Sequence, residues 1–473
     1  MCEQILIKSH ICIRPCVNKT ICCQLCLLFL FRFIIVLKVR KFNRRRVHVI
    51  TLGCSKNWVD SENLLTQLSA NEFDVSHDSA MDNPEVVIVN TCGFIDRAKE
   101  ESVQTILEMA KLKTQGKVKK LFVMGCLSER YHTDLQEEIP EVDRYFGSHH
   151  LPQIMEELDA VYKYELLGER KVFTPNHYAY LKISEGCNRT CSFCAIPLMR
   201  GEHKSRTIEE LVRETKNLAA QGVKEIILIA QELTYYGLDI YRKRALSSLL
   251  DQLHEVDGIQ WIRLHYAYPA KFPMDVIETM AKLPKVCKYL DLPLQHIDND
   301  ILYRMRRQTT QEEIRTLIAD IRSIIPDITL RTTFLLGFPG ETASHFEKLC
   351  DFVRQTRFDR VGVFGYSHEE NTLAHQYEDD VIPEEKTRRV NSLMEIQSEI
   401  SFQKNLEKIG KTLPVIFDRI DHEFFVGRTE GDSPEVDNEV LVSAKDYYLR
   451  IGDFAKVHIK NALEYDLYGD LVN

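Results

Sequence analysis

Three short apolar runs, each ending at a cysteine, constrain this chain more than any other feature. VHVITLG (47–53), VVIVNT (86–91) and LFVMG (121–125) run into Cys54, Cys92 and Cys126. Helical patterns separate them, with Leu64, Leu65 and Leu68 on the first and Ile106, Leu107 and Met109 on the second. Apolar runs of this length alternating with helices predict a parallel sheet covered on both faces. RYFG (144–147) is a candidate fourth strand. The ligand crevice of such a sheet lies beyond the carboxyl ends of its strands. Three thiolates converging there could hold three irons of a four-iron cluster and leave the fourth iron open. A single free cysteine is usually a small buried hydrophobe; three at equivalent strand ends favour ligands. Gly53, Gly93 and Gly125 flank them and let the backbone approach a bulky group closely.

The chain has 473 residues, enough for about three domains. With 44% hydrophobic and 28% charged residues it is neither disordered, collagen-like nor a multi-span membrane protein. A net charge of −9 argues against gripping nucleic acid by phosphate neutralisation alone. Of the 14 cysteines, Cys2, Cys12, Cys16, Cys22, Cys23 and Cys26 crowd the first 26 residues. The others form no small disulfide module, which favours ligand use in a reducing compartment. Cys287 and Cys350 have no partner pattern and read as core thiols. Residues 21–39 are apolar, but Arg32 splits them into Leu25–Phe31 and Phe33–Leu37. Both runs are shorter than the roughly 20 residues of a spanning helix. Residues 1–46 therefore read as an extension outside the fold, and no stable membrane association is expected.

AYLKISEGCNRTCSFCAIPLMRG (179–201) carries Cys187, Cys191 and Cys194 directly after a strand pattern. This C-x-x-x-C-x-x-C spacing lets one loop wrap three thiolates round a cluster face. A structural zinc site needs four ligands, no fourth follows in register, and His203 lies beyond the loop. The spacing resembles the radical S-adenosylmethionine enzymes, whose open iron is chelated by the amine and carboxylate of S-adenosylmethionine. EIILIAQE (225–232), WIRLHYAYP (261–269), YLDLPLQH (289–296), ITLRTTFLLGF (328–338) and RVGVFGYS (360–367) alternate with helical stretches such as 208–222, stopped by Gly222. With AYLKIS they make six β/α units, an open partial (β/α)6 TIM-like barrel with function at the carboxyl ends of its strands. The resemblance implies that Phe193 lies near the adenine. It also implies that GFPGET (337–342), beginning at Gly337, lies beside the cofactor, with Gln231 and Arg331 as further cofactor contacts.

Residues 408–473 read as short strands between turns, a small five-stranded β-barrel. This segment resembles the TRAM domain, an oligonucleotide-binding (OB)-like module. It holds 8 Lys+Arg against 13 Asp+Glu, a net of −5, which suits a basic protein partner better than RNA. The two cysteine trios and this tail together resemble the methylthiotransferase family over about residues 47–472. TLGCSKNWVDSE, CAIPLMRG, IAQELTYYGLDIY, LDLPLQHIDNDIL and GRTEGDSPEVDNEV look like the branch that modifies an aspartate of small-subunit ribosomal protein uS12. The other branch modifies an isopentenylated adenosine of transfer RNA; it typically has small residues where this chain has His296, and usually lacks the SPEVD run.

The expected organisation is an α/β chain with an N-terminal parallel α/β sandwich (47–160), a radical S-adenosylmethionine barrel (172–405) and a TRAM-like barrel (408–473). The resemblance implies two 4Fe-4S clusters, one on Cys187, Cys191 and Cys194 and an auxiliary one on Cys54, Cys92 and Cys126. It implies two S-adenosylmethionine molecules, one supplying a radical and one a methyl group, and β-methylthiolation of the target aspartate. It further implies a flavodoxin or ferredoxin as electron donor and a cytoplasmic location. The competing readings are the transfer-RNA branch and a non-catalytic iron–sulfur or RNA-binding protein.

Overall fold

The structure, a computed structural model, describes residues 44–78, 83–166, 168–173 and 175–472. The apolar segment 21–39 and the six cysteines before residue 27 lie outside the described residues, as does nearly all of the expected extension. The described residues from Arg46 onward form one compact unit.

A five-stranded parallel sheet comes first, built from β1 (Arg46–Thr51), β2 (Asp74–His77), β3 (Val86–Thr91), β4 (Lys120–Gly125) and β5 (Arg144–Tyr145) in the order β2-β1-β3-β4-β5. β1 opens at Arg46, which pairs with Asp74 of β2. DVSH of β2 has no apolar run, so periodicity misses it. Strand alternation sends Val47, Val49, Ile88 and Phe122 to one face, against Leu64, Leu65 and Leu68 of α1 (Ser55–Ala70). It sends Val87, Val89, Leu121 and Val123 to the other, against Ile106 and Ala110 of α2 (Asp96–Thr114). Leu107 is exposed, because the buried stripe of α2 runs through Ser102, Ile106 and Ala110 at helical spacing. The chain leaves β1 for the edge at β2 and returns to β3 on the other side of β1. The carboxyl ends of β1 and β3 are thus a topological switch point.

The second sheet has six parallel strands in the order β6-β9-β10-β11-β12-β13, open at both edges. They are β6 (Tyr178–Lys182), β9 (Glu225–Ile229), β10 (Trp261–Leu264), β11 (Val286–Asp291), β12 (Thr329–Leu336) and β13 (Arg360–Gly365). A small hairpin, β7 (Ser184–Glu185) with β8 (Lys204–Ser205), brackets the second cysteine loop. The short helix α3 (Ile196–Arg200) follows that loop, and α4 (Ile208–Ala220) opens on a Thr207/Glu210 capping box. Gly222, at φ +100°, stops the chain from continuing α4. Ala179, Leu181, Ile226, Leu228, Ile262 and Leu264 pack on the helices. Their neighbours Tyr178, Tyr180, Lys182, Glu225 and Arg263 therefore point into the lumen.

A long helix, α5 (Pro383–Leu406), leads to a closed barrel of β14 (Thr412–Asp421), β15 (Phe424–Thr429), β16 (Glu439–Ser443), β17 (Phe454–Ala462) and β18 (Asp466–Leu471). Its 430–438 loop, which contains SPEVD, enters the six-stranded barrel. Asp432 pairs with Arg360 (3.1 Å), Ser433 bonds His265 (2.9 Å), and Asp437 accepts from Tyr289 (2.8 Å). Arg428 of β15 reaches Glu225 (2.5 Å) and Asp418 (2.8 Å). Part of the acidity expected to face a basic partner is thus turned inward against the barrel's own arginines.

Buried neutral histidines give this assembly a pH dependence. Burial, with Arg263, Arg331, Lys56 and Arg428 nearby, holds His265 well below the usual imidazole range. Burial does the same to His296, which falls to about 3 despite Asp298, with His345, Lys348 and Arg389 adding to the shift. Unfolded histidine takes up a proton below about pH 6.5 and these two do not. Stability is fully present above that pH and falls as pH drops through it. His296 alone costs about 2 kcal/mol at pH 5. A thermal midpoint that falls steadily between pH 7 and pH 5 is expected; a flat profile would contradict it.

Candidate active site

The three thiols of the first sheet lie at the carboxyl ends of three neighbouring strands, two of them at the switch point. Cys54 is the extended residue before α1, Cys92 follows β3 and Cys126 follows β4. Gly53, at φ +90°, makes room for Cys92, whose Sγ would lie 2.9 Å from a Cβ there. Gly125, at φ +100°, lies where a Cβ would come within 2.4 Å of Asn90 Oδ1. Burial pushes the Cys92 thiol up to about 12, and Cys54 and Cys126 beside it add to the shift. Burial raises Cys126 as well, with Arg200 opposing and Cys54 adding. Cys54 is exposed while the other two are buried, so the trio opens to one side.

The second trio sits in the loop between β7 and α3. Gly186, at φ +71°, brings the start of this loop against its end, where a Cβ would meet Glu202 O at 2.0 Å. The Cys187 N–H donates to Gly201 O (3.1 Å), which closes the loop. The Arg189 N–H donates to Cys187 Sγ (3.4 Å), and Arg307 Nη1 donates to Cys191 Sγ (3.3 Å). Burial raises Cys187 to about 11 and Cys194 to about 12. Cys287 and Cys350 are buried in the core, as expected, and all eight described cysteines are free. His203 bonds Ser205 (3.1 Å) instead of joining the thiols.

The donor sets fit multi-iron clusters better than single ions. Zinc at 2.3 Å from each sulfur would bring tetrahedral thiolates to about 3.8 Å from one another. Among the described residues the trio with all its ligand atoms within 4.8 Å is Asp298, Asp300 and His345; neither thiol trio is drawn in so tightly. Three thiols set wider, on glycine-cleared loops, leave room for a cluster larger than one ion.

Arg200 links the two trios. It ends α3, six residues after Cys194, and is 2% exposed. Its Nε donates to Cys126 Sγ (3.2 Å), Nη1 to Asp60 (2.7 Å) and Nη2 to Asn57 (2.5 Å). Asp60 also pairs with Lys182, which holds Glu185, which accepts from Gln231 (2.7 Å). Two further ties join the sheets: Arg170 lies between Glu62 and Glu214, and Glu369 takes Arg130 (2.7 Å) and Lys99 (3.0 Å). Sequence reasoning passed over Arg200 although it lies in CAIPLMRG. A signal existed: an arginine ending an apolar stretch beside a ligand loop.

The remaining predicted residues are distributed unevenly. Phe193 packs against the cluster of Ile301, Met305, Phe338 and Tyr366. Gln231 lies just beyond β9, and its buried Oε1 has no donor among the described residues. Gly337 has φ +70°, and a Cβ there would meet Lys386 Cγ at 2.3 Å. Arg331 does not fit its expected role. It is the third residue of β12, five residues and about 16 Å before the strand's carboxyl end. There it pairs with Asp291 (3.0 Å) and Asp437 (3.4 Å), in the seam with the C-terminal barrel. Tyr266 and Gln295, just beyond β10 and β11, have φ +68° and +75°. Such non-glycine backbone costs about 1–3 kcal/mol and clusters at working sites.

Comparison with known proteins finds the same three modules. The family model "Uncharacterized protein family UPF0004" matches residues 46–147, the radical SAM superfamily 181–353 and the TRAM domain 409–472. The ribosomal protein uS12 methylthiotransferase RimO of Christiangramia forsetii is 56% identical over 92% of this chain and 96% of its own length. That of Cytophaga hutchinsonii is 55% identical over 92% of this chain and all of its own, and that of Bacteroides thetaiotaomicron 50% over 91% and 99%. The radical S-adenosylmethionine methyltransferase TsrM of Kitasatospora setae superposes with TM-score 0.50 at 15% identity, over 67% of this chain and 72% of that one, a likeness of fold.

Proposed function

The chain belongs to the ribosomal protein uS12 methylthiotransferase RimO family, and from that membership we propose that it attaches a methylthio group to the β-carbon of an aspartate of uS12. We divide it into a methylthiotransferase domain (47–160), a radical S-adenosylmethionine domain (172–405) and a TRAM domain (408–473). Cys187, Cys191 and Cys194 would hold one 4Fe-4S cluster, and Cys54, Cys92 and Cys126 the auxiliary one. When bound, these groups supply one-electron cleavage of S-adenosylmethionine and the sulfur to be transferred. Phe193, Gln231 and Gly337 are our proposed contacts to S-adenosylmethionine; Arg331 is left out, because its guanidinium serves the seam with the C-terminal barrel.

The observation that carries the reading is the guanidinium of Arg200, which ties the loop of one trio to a thiol of the other. The residues around it have separable tasks. Arg200, Asp60 and Lys182 hold the two sheets in one geometry, which a transfer between two centres needs. The 430–438 loop packs into the lumen through Asp432, Ser433 and Asp437 and fixes the C-terminal barrel against it. Arg307 and the Arg189 backbone N–H donate to thiol sulfurs of the second trio. A ribosomal target puts the work in the cytoplasm, with a flavodoxin or ferredoxin as electron donor. Among the described residues no helix is long and apolar enough to cross a membrane.

The test is mass spectrometry of uS12 after incubation with the iron- and sulfide-loaded chain, S-adenosylmethionine and dithionite. A methylthio mass gain on an aspartate is expected. Unmodified uS12 beside a newly methylthiolated, isopentenylated transfer RNA would overturn the assignment.

A further inference from the structure

Lys56, the second residue of α1, is 9% exposed and has neither a hydrogen-bond acceptor nor a carboxylate among the described residues. Its one close partner is the Tyr266 ring, with Nζ 3.4 Å from the centroid. Several lumen cations are matched by carboxylates: Lys182 by Asp60 and Glu185, Arg263 by Glu225, Arg331 by Asp291 and Asp437, Arg360 by Asp432. Arg307 has no carboxylate among the described residues but directs its Nη groups to Cys191 Sγ and Pro293 O, which Lys56 has no counterpart for. A cation–π contact offsets only part of the cost of removing an ammonium from water. A cation with no acceptor of its own is complementary to an anion that arrives from outside.

Its position says what that anion would be. Val59, one turn along α1, packs on Tyr178, Tyr180, Ile227, Ile229 and Tyr266 at the lumen wall. Asp60 on the same face pairs with Lys182 and Arg200. Lys56 thus stands at the mouth of the barrel, two residues from Cys54 of one trio and over a tyrosine just past the carboxyl end of β10. The backbone of Tyr266 is itself held, by its N–H to Asp291 Oδ2 (3.1 Å) and at φ +68°, so the ring is a fixed platform.

We infer that Lys56 is the specificity-determining residue that receives the side-chain carboxylate of the target aspartate. The inference rests on the uS12 reading above. In an aspartate the carboxylate is bonded directly to the β-carbon. Anchoring it leaves rotation about one bond to decide which C–H is presented. An ammonium keeps three donors and can hold a carboxylate while remaining on the ring. The same cation disfavours a neutral amide or base in that place.

The experiment measures binding of two forms of uS12, the natural one and one with the target aspartate replaced by asparagine, to the cluster-loaded full chain and its Lys56→Gln and Lys56→Arg variants. The unaltered chain should prefer the aspartate form by about tenfold or more, as a charge-assisted hydrogen bond implies. Lys56→Gln should bring the preference to within about twofold, and Lys56→Arg should keep most of it. Methylthiolation rates should follow the same pattern. An undiminished preference in Lys56→Gln, or equal weakening of both forms, would overturn the inference. Absence of uS12 modification by the unaltered chain would instead remove the functional reading beneath it.

Discussion

Cys191→Ala is expected to abolish S-adenosylmethionine cleavage and methylthiolation together, whereas Cys92→Ala should abolish methylthiolation and leave cleavage. The two thiols belong to different loops on different sheets, so the losses should separate. Each variant would remove a proposed ligand outright, and the loss should exceed the roughly 10–100-fold that removal of an outer-shell partner costs a metal site. Iron per chain should fall from about eight to about four in both. Cys92 is the better choice in its trio, because Cys126 also accepts from Arg200 and its removal would disturb the seam between the sheets. Methylthiolation that survives Cys92→Ala would end the two-centre reading.

The largest expected loss of stability is at Glu225, which is fully buried between Arg263 (2.8 Å) and Arg428 (2.5 Å). Glu225→Gln leaves Arg263 in the interior without a carboxylate and Arg428 with Asp418 alone; breaking a buried pair in this way typically costs about 3–5 kcal/mol. Arg428 belongs to the C-terminal barrel and Arg263 to the six-stranded one, so the variant should also loosen their seam. Denaturant unfolding and limited proteolysis after residue 408 would measure both effects. Burial alone would raise the Glu225 carboxyl; Arg428 and Arg263 outweigh it and hold the group below the usual carboxylate range. Its contribution is therefore present above about pH 4.3 and lost as pH falls further. A Glu225→Gln chain as stable as the parent at neutral pH would contradict this account.

Much of the fold was legible because it is written in local periodicity. The six barrel strands and the small closed barrel follow from apolar runs and turn residues, and both are found. The ends were harder: WIRLHYAYP stops being strand at Leu264 because the backbone turns to positive φ at Tyr266. The two trios were legible because identical residues recur at strand ends or within one loop. The resemblance to methylthiotransferases turned that pattern into a specific chemistry. Arg331 pairs with Asp291 and Asp437; a lumen-facing arginine looks the same in sequence whether it meets a ligand or a carboxylate of its own chain.

By itself the sequence determined which strands end in a thiol and which loop carries three, since each depends on spacing along the chain, and its motifs carried the resemblance to the family. Only the tertiary structure decided that Arg200 reaches Cys126, 74 residues away, that the acidic 430–438 loop plugs the barrel, and that Lys56 stands unmatched over Tyr266. Those are statements about which charges meet which. Charge pairing across a folded interior depends on distances that no local pattern encodes.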